Sequence, residues 1–410
     1  MNTRPDRKYL VRGALRALLF LFAAAVTACA PHAPGQTQAT TALAPAAPRF
    51  QTVAPGVEHL KIVREGGDDP QVINLLRVDL KRAELRLAHA LDTAIGLETV
   101  SSLAARHGAV AGVNGGFFRT TGTYRGDATG ALVMGGGRWL SEPQPHRAAV
   151  GLIERRHHTE LVFGHLTFEG SLTINGRHAH HLDGLNRPRA ANELVIYTPD
   201  FHRTTLTAPD GLEVVVRRGR VVNRRDGAGS SLVPSDGFIV SVAGAAREWA
   251  RQHLPVGTRA GVQLSLVPAD ATQRAVWRRA TQVLGGGPQL VRDGRVSITA
   301  EQEKVAAAFV TDRHPRTAFA RLADGRILLA TVDGRQPGVS HGFSLHALAE
   351  MLVAHGARDA LNLDGGGSTA MVVNRHLANK PSDQTGERPV SDAILVFPRA
   401  LSGAAGVKTR

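Results

Sequence analysis

Apolar positions in the first half of the chain recur at spacings that predict alternating strands and helices. Residues 72–80 and 83–90 are rich in apolar side chains with partial alternation, which predicts two strands. Residues 97–106 carry apolar side chains at helical spacing and are followed by Gly108, a common helix end. The short apolar run 109–113 then predicts a buried strand that ends directly before Asn114.

A second helix and strand are predicted near the carboxyl end. Four apolar residues between 345 and 352 share one helical face, and Gly356 follows them. The strand 360–363 comes next and leads into Asp364. Short β-type runs separated by Gly, Pro and Asp turns lie between the two halves, at 194–197, 213–217, 237–242, 262–267 and 327–332. The whole pattern predicts an α+β fold, as one large domain with a mixed, extensive sheet.

The first 52 residues follow a different pattern, that of a secretory leader and a tether. Five Arg and Lys residues precede the apolar run 17–28, and Cys29 follows it directly. This layout predicts a lipoprotein-type signal peptide at 1–28 with Cys29 as the lipidated residue, although a plain signal peptide is the alternative. Residues 29–52, rich in Pro, Ala and Thr, predict a tether. The domain then occupies 53–400 and a tail occupies 401–410.

The composition narrows the class of protein. The 410 residues are 43% hydrophobic and 20% charged, which is typical of a globular protein. The formal net charge is +14, but the basic residues are scattered as pairs, so we expect no nucleic-acid partner. Cys29 is the only cysteine, and the apolar run before it is short for a bilayer span. We therefore expect an exported protein that a lipid holds in the bacterial cell envelope, on its periplasmic or outer-surface face.

The turn after the strand 360–363 carries candidate chemistry. Asp364 is followed by three glycines and two hydroxyl residues. Successive glycine N–H groups can turn toward one point, which predicts an anion site beside a carboxylate and suits phosphate chemistry. A tight turn that needs glycine for its backbone is the alternative. The residues predicted to bind phosphate here are Gly365, Gly366, Gly367, Ser368 and Thr369.

A second polar turn, Asn114-Gly115-Gly116, ends the strand 109–113 in the same manner. An Asn side chain can hydrogen-bond a sugar hydroxyl or ligate a cation, and the three residues are predicted to bind substrate. The alternative is an ordinary turn, because Asn and Gly favour turns for conformational reasons.

Taken in order, five segments of the chain resemble the phosphodiester glycosidase family. They are NGGFF at 114–118, RTA at 316–318, VDGR at 332–335, NLDGGGSTAM at 362–371 and RPVSDA at 388–393. The resemblance covers about residues 55–398. It implies a domain of that family's type and an exported hydrolase that cleaves sugar-1-phosphodiester linkages in an envelope glycan or exopolysaccharide.

The resemblance and the local chemistry together suggest roles. Cleavage at the anomeric carbon expels a phosphate monoester, which is already a good leaving group, so the site needs cations on the phosphate and a carboxylate. We expect Asp364 to be the principal catalytic carboxylate, with Asp333 and Asp392 as a second acid/base or as structural partners. Arg316 is the predicted fork for phosphate. Asn114 is expected to position the substrate or the carboxylate.

Three alternatives stay open at this point. Asp392 could instead form a structural salt bridge with Arg388. A divalent cation could be held by oxygens of Asp364, Asp333 and Asn114, whereas no His or Cys spacing indicates zinc. The alternative function is a non-catalytic, glycan-binding envelope lipoprotein. The enzyme is favoured because a carboxylate beside a bound phosphate costs affinity unless a cation or chemistry offsets it.

Overall fold

The computed structural model describes residues 48–92, 95–156 and 158–399, which belong to a compact unit that begins at Pro48. The predicted signal peptide, Cys29, the tether as far as residue 47 and the tail at 401–410 lie outside the described residues. The compact unit begins at Pro48 and its first strand at Gln51, so the last five residues that we assigned to the tether, 48–52, lie in the folded unit. Among the described residues, no helix is long and apolar enough to cross a membrane.

Strands dominate the described residues. In chain order they are β1 Gln51–Ala54, β2 Val57–Arg64, β3 Gln71–Val78, β4 Ala83–His89, β5 Ala111–Asn114, β6 Leu132–Met134, β7 Arg138–Ser141, β8 Arg147–Glu154, β9 Thr159–Ile174, β10 Arg177–His181, β11 Gly184–Leu185, β12 Leu194–Tyr197, β13 Leu212–Arg217, β14 Arg220–Asp226, β15 Gly237–Val242, β16 Ala260–Pro268, β17 Gln282–Gly285, β18 Gln289–Arg292, β19 Arg295–Val296, β20 Arg316–Leu322, β21 Ile327–Val332, β22 Ala357–Asn362, β23 Met371–Val373, β24 His376–Leu377 and β25 Asp392–Pro398.

Helices are fewer and shorter. The α-helices are α1 Val100–His107, α2 Gly244–His253, α3 Arg274–Trp277, α4 Ala307–Thr311 and α5 Leu345–Ala354, with single 3-10 turns at Ala271–Gln273 and Gly366–Ser368. The side chain of Thr99 caps α1 by accepting from the Ser102 N–H, and Gly108 ends the helix with φ of 69°. The predicted α+β, sheet-rich fold with one large domain is confirmed.

Eight strands form the central sheet, in the spatial order β1-β2-β3-β21-β20-β22-β18-β19. Strand β20 runs antiparallel to both β21 and β22, so its first residue lies beside the last residues of those two strands. Arg316 opens β20, Asp333 follows β21, and Asp364 lies two residues beyond β22. One end of the central sheet therefore collects three residues that lie far apart in the sequence.

The central sheet separates two hydrophobic clusters, and side chains alternate between them along each strand. On β20, Phe319 belongs to one cluster, whereas Ala318 and Ala320 belong to the other. Helix α5 covers the second face through residues that include Leu348 and Leu352, both fully buried. Each buried leucine contributes about 1.5–3 kcal/mol by leaving water, which holds the helix against the sheet.

A five-stranded sheet in the order β24-β23-β5-β25-β4 supplies the second half of the site. Strand β5 lies between β23 and β25, and α1 packs on this sheet through Leu103 and its neighbours. The Asp364 N–H donates to the Gly115 carbonyl at 3.2 Å. The end of β5 is thereby joined to the end of β22. The remaining strands form a seven-stranded and a second five-stranded sheet.

Candidate active site

Asp364 lies where the central sheet meets the sheet that contains β5, and part of its surface stays open to solvent. Its Oδ1 accepts the Gly365 N–H at 2.9 Å, and the Ser368 hydroxyl also bonds to this carboxylate. Burial and the nearby charge of Asp392 raise the pKa of Asp364 to about 6, against the opposing effect of those two bonds and of Arg388. The carboxyl can therefore take up or release a proton near neutral pH.

Asp392 begins β25 beneath this site, with only 2% of its surface exposed. The Gly116 N–H donates to its Oδ1 at 2.8 Å, and the Ser391 hydroxyl donates to its Oδ2 at 2.5 Å. Burial raises the pKa of this carboxyl, and both bonds oppose the rise. A Cβ at Gly115 would lie 2.0 Å from Oδ1, so the close approach requires glycine. These contacts tie Asp392 to the turn at Gly115 and Gly116, as the structural one of its two expected roles would require, and a catalytic role for it stays a prediction.

Asn114 is fully buried, and its side chain makes its hydrogen bonds to protein groups. Its Nδ2 donates to the Asp364 carbonyl at 2.8 Å. Its Oδ1 accepts from the Thr317 hydroxyl at 2.8 Å and from the Ala370 N–H at 3.1 Å. Asn114 therefore holds the backbone at Asp364. Substrate binding by Asn114, Gly115 and Gly116 stays a prediction.

The glycine turn does not form the predicted cluster of free N–H donors. The Gly366 N–H donates to the Pro315 carbonyl at 2.9 Å, the Ser368 N–H to Gly365 at 3.1 Å, and the Thr369 N–H to Gly366 at 3.2 Å. The Gly365 N–H is held by the Asp364 carboxylate itself. These bonds close a single 3-10 turn and occupy four of the predicted N–H donors, whereas the Gly367 N–H is not among the groups bonded within the turn. Phosphate binding by Gly365, Gly366, Gly367, Ser368 and Thr369 stays a prediction.

Two arginines supply positive charge beside this turn, and neither was among the predicted site residues. A Cβ at Gly366 would lie 3.2 Å from both terminal nitrogens of Arg335, and one at Gly367 would overlap the guanidinium of Arg388. Arg388 is held by Asp383 through bonds of 2.7 and 3.0 Å, and among the described residues its ion pair is with Asp383 rather than with Asp392, the alternative left open above. Both arginines stand in segments that carried the family resemblance, but the sequence alone does not show which basic side chain faces the turn.

Of the two arginines, Arg335 is the one whose charge is not paired with a carboxylate in the described part of the chain. Its side chain is exposed, and no carboxylate among the described residues lies within ion-pair distance of it. The guanidinium approaches His314 Nδ1 at 3.3 and 3.4 Å. Arg335 and burial together lower the pKa of His314, so this imidazole is held neutral at pH 7 and can accept from the guanidinium. Arg335 thus presents an uncompensated charge at the surface of the turn.

Arg316 is buried rather than presented as a fork. Its Nε donates to the Phe343 carbonyl at 2.9 Å, and its Nη2 donates to Phe309 and Asp312 carbonyls, both at 2.8 Å. The guanidinium carbon lies 4.9 Å from the centre of the Phe309 ring. Burial and Arg335 lower the pKa of Arg316 to about 10. Only the two N–H groups on Nη1 remain for a ligand, and phosphate binding by Arg316 stays a prediction.

Asp333 also serves the fold. It is 2% exposed, and its Oδ2 accepts the Lys380 N–H at 3.0 Å. Its carbonyl accepts from the Ser340 hydroxyl at 2.7 Å. Burial raises the pKa of the Asp333 carboxyl, and its hydrogen bonds oppose that shift. Asp333 therefore ties the end of β21 to the segment at 380, and a role as a second acid or base stays a prediction.

The oxygens predicted to hold a divalent cation do not converge. Oδ1 of Asn114 and Oδ2 of Asp333 already accept hydrogen bonds from protein groups. Across the described ranges, no group of three or more His, Cys, Asp and Glu side chains is arranged to hold a metal ion. Asp364 is the member of the predicted set that is partly exposed as a residue, whereas Asn114 and Asp333 are buried.

A partly exposed carboxyl that titrates near neutral pH, bordered by arginines, fits a hydrolase that acts on an anionic substrate. The comparisons with known proteins agree with this class. The model of the phosphodiester glycosidase family matches residues 210–397, which include Arg335, Asp364 and Arg388. The resemblance that the motifs indicated is confirmed, and it supports a hydrolase of phosphodiester glycosides.

Curated relatives match over a shorter stretch. The chain is 36% identical over 111 residues to the bovine (Bos taurus) N-acetylglucosamine-1-phosphodiester alpha-N-acetylglucosaminidase and 33% identical over 111 residues to the human (Homo sapiens) protein. Each match takes in 25% of this chain and 21% of the relative. This chain therefore covers about a fifth of the length of these relatives.

Solved structures show the same fold over most of the domain. A hypothetical protein from Synechocystis superposes with a TM-score of 0.73 at 25% identity, over 86% of this chain and 64% of the other. A protein of Burkholderia pseudomallei that is described as exported superposes with a TM-score of 0.70 at 28% identity, over 80% and 74%. The fold is thus shared well beyond the residues that the family model matches.

Proposed function

We propose that the protein is a phosphodiester glycosidase that hydrolyses sugar-1-phosphodiester linkages in an envelope glycan or exopolysaccharide. One observation carries the proposal above the others: Asp364 is only partly buried as a residue, has a pKa of about 6 and lies at a turn that is flanked by Arg335 and Arg388. A protein that only bound the glycan would gain nothing from a carboxylate beside the phosphate, because like charges repel.

The chemistry assigned to these residues is a single displacement at the anomeric carbon. The oxygen of a water molecule bonds to that carbon, and the bond from the carbon to the phosphate oxygen breaks. The electron pair leaves with the phosphate monoester, and Asp364 accepts the proton from the attacking water. Arg335 and Arg388 offset the negative charge that the leaving phosphate gains. Asn114 holds the backbone of Asp364 in place through its bond to the carbonyl.

The experiment incubates the purified protein with a panel of sugar-1-phosphodiesters in water enriched in oxygen-18, with and without EDTA. Mass spectrometry follows the released sugar and phosphate monoester. Asp364→Asn is expected to lower the rate by about 10²–10⁴-fold, the usual worth of a general base. Asp324→Asn, at an exposed site paired with Arg326, is the matched control and is expected to keep full activity.

Each arm of this experiment decides one point. Label in the sugar supports cleavage at carbon, whereas label in the phosphate overturns it in favour of cleavage at phosphorus. Full activity in a folded Asp364→Asn variant overturns the role of Asp364. Glycan binding without release from any substrate overturns the enzyme in favour of the glycan-binding lipoprotein. Loss of activity in EDTA alone would show that a divalent cation takes part.

We also propose that the protein is exported and anchored by a lipid on Cys29. The basic, apolar and cysteine order of residues 1–29 supports this proposal, as does the described export of the Burkholderia protein with the same fold. The test is metabolic labelling of the full chain with an alkyne fatty acid, followed by cell fractionation. Label and membrane association are expected in the natural chain and not in Cys29→Ala, and an unlabelled membrane fraction would contradict the anchor.

A further inference from the structure

A cavity of about 330 Å³ opens beside the proposed active site and has no assigned role. Its lining includes Phe117, which directly follows the Gly116 that binds Asp392, and Gly286, where an added Cβ would lie 2.5 Å from the Asn362 carbonyl. The cavity therefore shares its walls with the ends of β5 and β22, the same two strands that position Asp364. Its volume lies at the lower end of the range for small-molecule sites.

Two aromatic rings form the apolar part of this cavity. Phe117 and Phe309 line it, and their ring centres lie 6.3 Å apart with an angle of 62° between the planes. Both residues are partly exposed and line the cavity. Aromatic faces bind sugar rings through the apolar C–H groups of the sugar, and Phe309 also contacts the guanidinium of Arg316.

Two cations form the polar part. Arg147 and Lys304 line the cavity, and within the described ranges neither has a carboxylate within 4.0 Å. A Cβ added at Gly287 would contact the Glu303 carboxylate and the Arg147 side chain, so these two side chains lie near each other. However, the Glu303 carboxylate is already held by His165, the Thr299 hydroxyl and the N–H groups of residues 148 and 289. Two unpaired cations beside aromatic walls have the chemistry of a site for an anionic ring compound.

We propose that this cavity binds a second anionic group of the substrate, carried on a ring next to the scissile phosphodiester. The substrate class is then an anionic glycan whose neighbouring unit bears a carboxylate or a phosphate, rather than a neutral glycan joined by single phosphodiesters. This inference rests on the proposed function for its link to catalysis, but the cavity's binding of an anionic ring compound is independent of it. Phe117 and Phe309 provide the ring contact, and Arg147 and Lys304 provide the charge contact.

The first test measures binding of small probes by calorimetry. Phenyl phosphate, benzoate and phenol share a ring and differ in charge, so their comparison also separates a phosphate from a carboxylate. Phenyl phosphate or benzoate is expected to bind at least about tenfold more tightly than phenol, the worth of one charge-assisted contact. Arg147→Gln/Lys304→Gln should reduce both anions to the affinity of phenol. The exposed pair Arg295→Gln/Lys81→Gln is the matched control and should change nothing.

The second test uses turnover and separates this proposal from the proposed function. A glycosyl phosphodiester with a carboxylate on its leaving group is compared with the methyl ester of the same compound. The cavity variant is expected to raise KM for the charged substrate about tenfold at unchanged kcat, and to leave the neutral ester unaffected. Equal KM for both substrates in the natural protein, or probe binding that survives the cavity variant, overturns the cavity proposal. Charge-dependent probe binding without any turnover leaves the cavity supported and overturns the glycosidase instead.

Discussion

Ser368→Ala tests whether the electrostatics of Asp364 govern the reaction. The Ser368 hydroxyl bonds to the Asp364 carboxylate and lowers its pKa, which burial otherwise raises. A hydrogen bond to a charged group is worth about 1.5–3 kcal/mol, which corresponds to roughly 1–2 pKa units. Removal of the hydroxyl should therefore move the pKa of Asp364 from about 6 to roughly 7–8.

The sign of the effect on rate follows from the form of Asp364 that acts. As a base, the carboxyl must be ionised, so activity should rise with pH through the pKa of the group. At pH 6 the natural protein is about half ionised, and the variant would be ionised to roughly 1–10%. We expect a five- to fifty-fold loss of rate at about pH 6 and nearly equal rates at about pH 9, where both proteins are largely ionised.

The assay measures hydrolysis from pH 4 to pH 9, with the carboxyl resonance of labelled aspartate followed by NMR as a readout that needs no turnover. Ser265→Ala, on β16 of a different sheet, is the matched control and should keep the natural midpoint. An unchanged midpoint in folded Ser368→Ala would refute the assigned hydrogen bond. A rate that falls with rising pH would refute the assignment of Asp364 as a base.

Two further predictions concern stability. Gly115→Ala should lower the free energy of unfolding by about 2–4 kcal/mol because the added carbon overlaps Asp392 Oδ1 in a packed site. Gly135→Ala is the control and should cost little, since no atom lies within 4 Å of its added carbon. Equal urea midpoints for the two variants would contradict the close packing at Gly115. Burial lowers the pKa of His89 to about 4, so the folded protein favours neutral imidazole, and about 3 kcal/mol of stability should be lost as pH falls from about 6.5 through 4. Urea unfolding at pH 7 and pH 4 checks this, and an acid loss that His89→Gln leaves unchanged would contradict it.

Elements with a strong local pattern were predictable from the sequence. The helix expected at 97–106 is α1 at Val100–His107, and the strand expected at 237–242 is β15 at Gly237–Val242. Helix α1 has the periodicity that one buried face imposes and ends at a glycine whose φ is positive, whereas β15 is a short apolar run that is buried at four consecutive residues. Pairing between strands was not predictable, because β3 pairs with β21, about 250 residues later, and no local rule specifies such a partner.

The candidate site was predictable by residue type but not by role. Asp364 was proposed because a carboxylate beside a glycine-rich turn suits phosphate chemistry. Arg316 was expected to bind phosphate and Asp333 to act as a second acid/base or a structural partner. In the structure Arg316 donates to three carbonyls, and Asp333 accepts from the Lys380 N–H. Arg335 was not assigned at all. A polar side chain can satisfy its hydrogen bonds with protein or with ligand, and only the positions of its neighbours decide between them.

The sequence by itself determined the α+β, sheet-rich class, the family resemblance and the importance of the turn at Asp364. These depend on periodicity and on residue types that lie close together in the chain. The tertiary structure alone decided that β5 meets β22, which places Asn114 under Asp364, and that two cations border the cavity at Phe117. The pKa of Asp364 belongs to the same category. It is raised by burial and by a carboxylate 28 residues away in the sequence, and both effects exist only when the two sheets have packed.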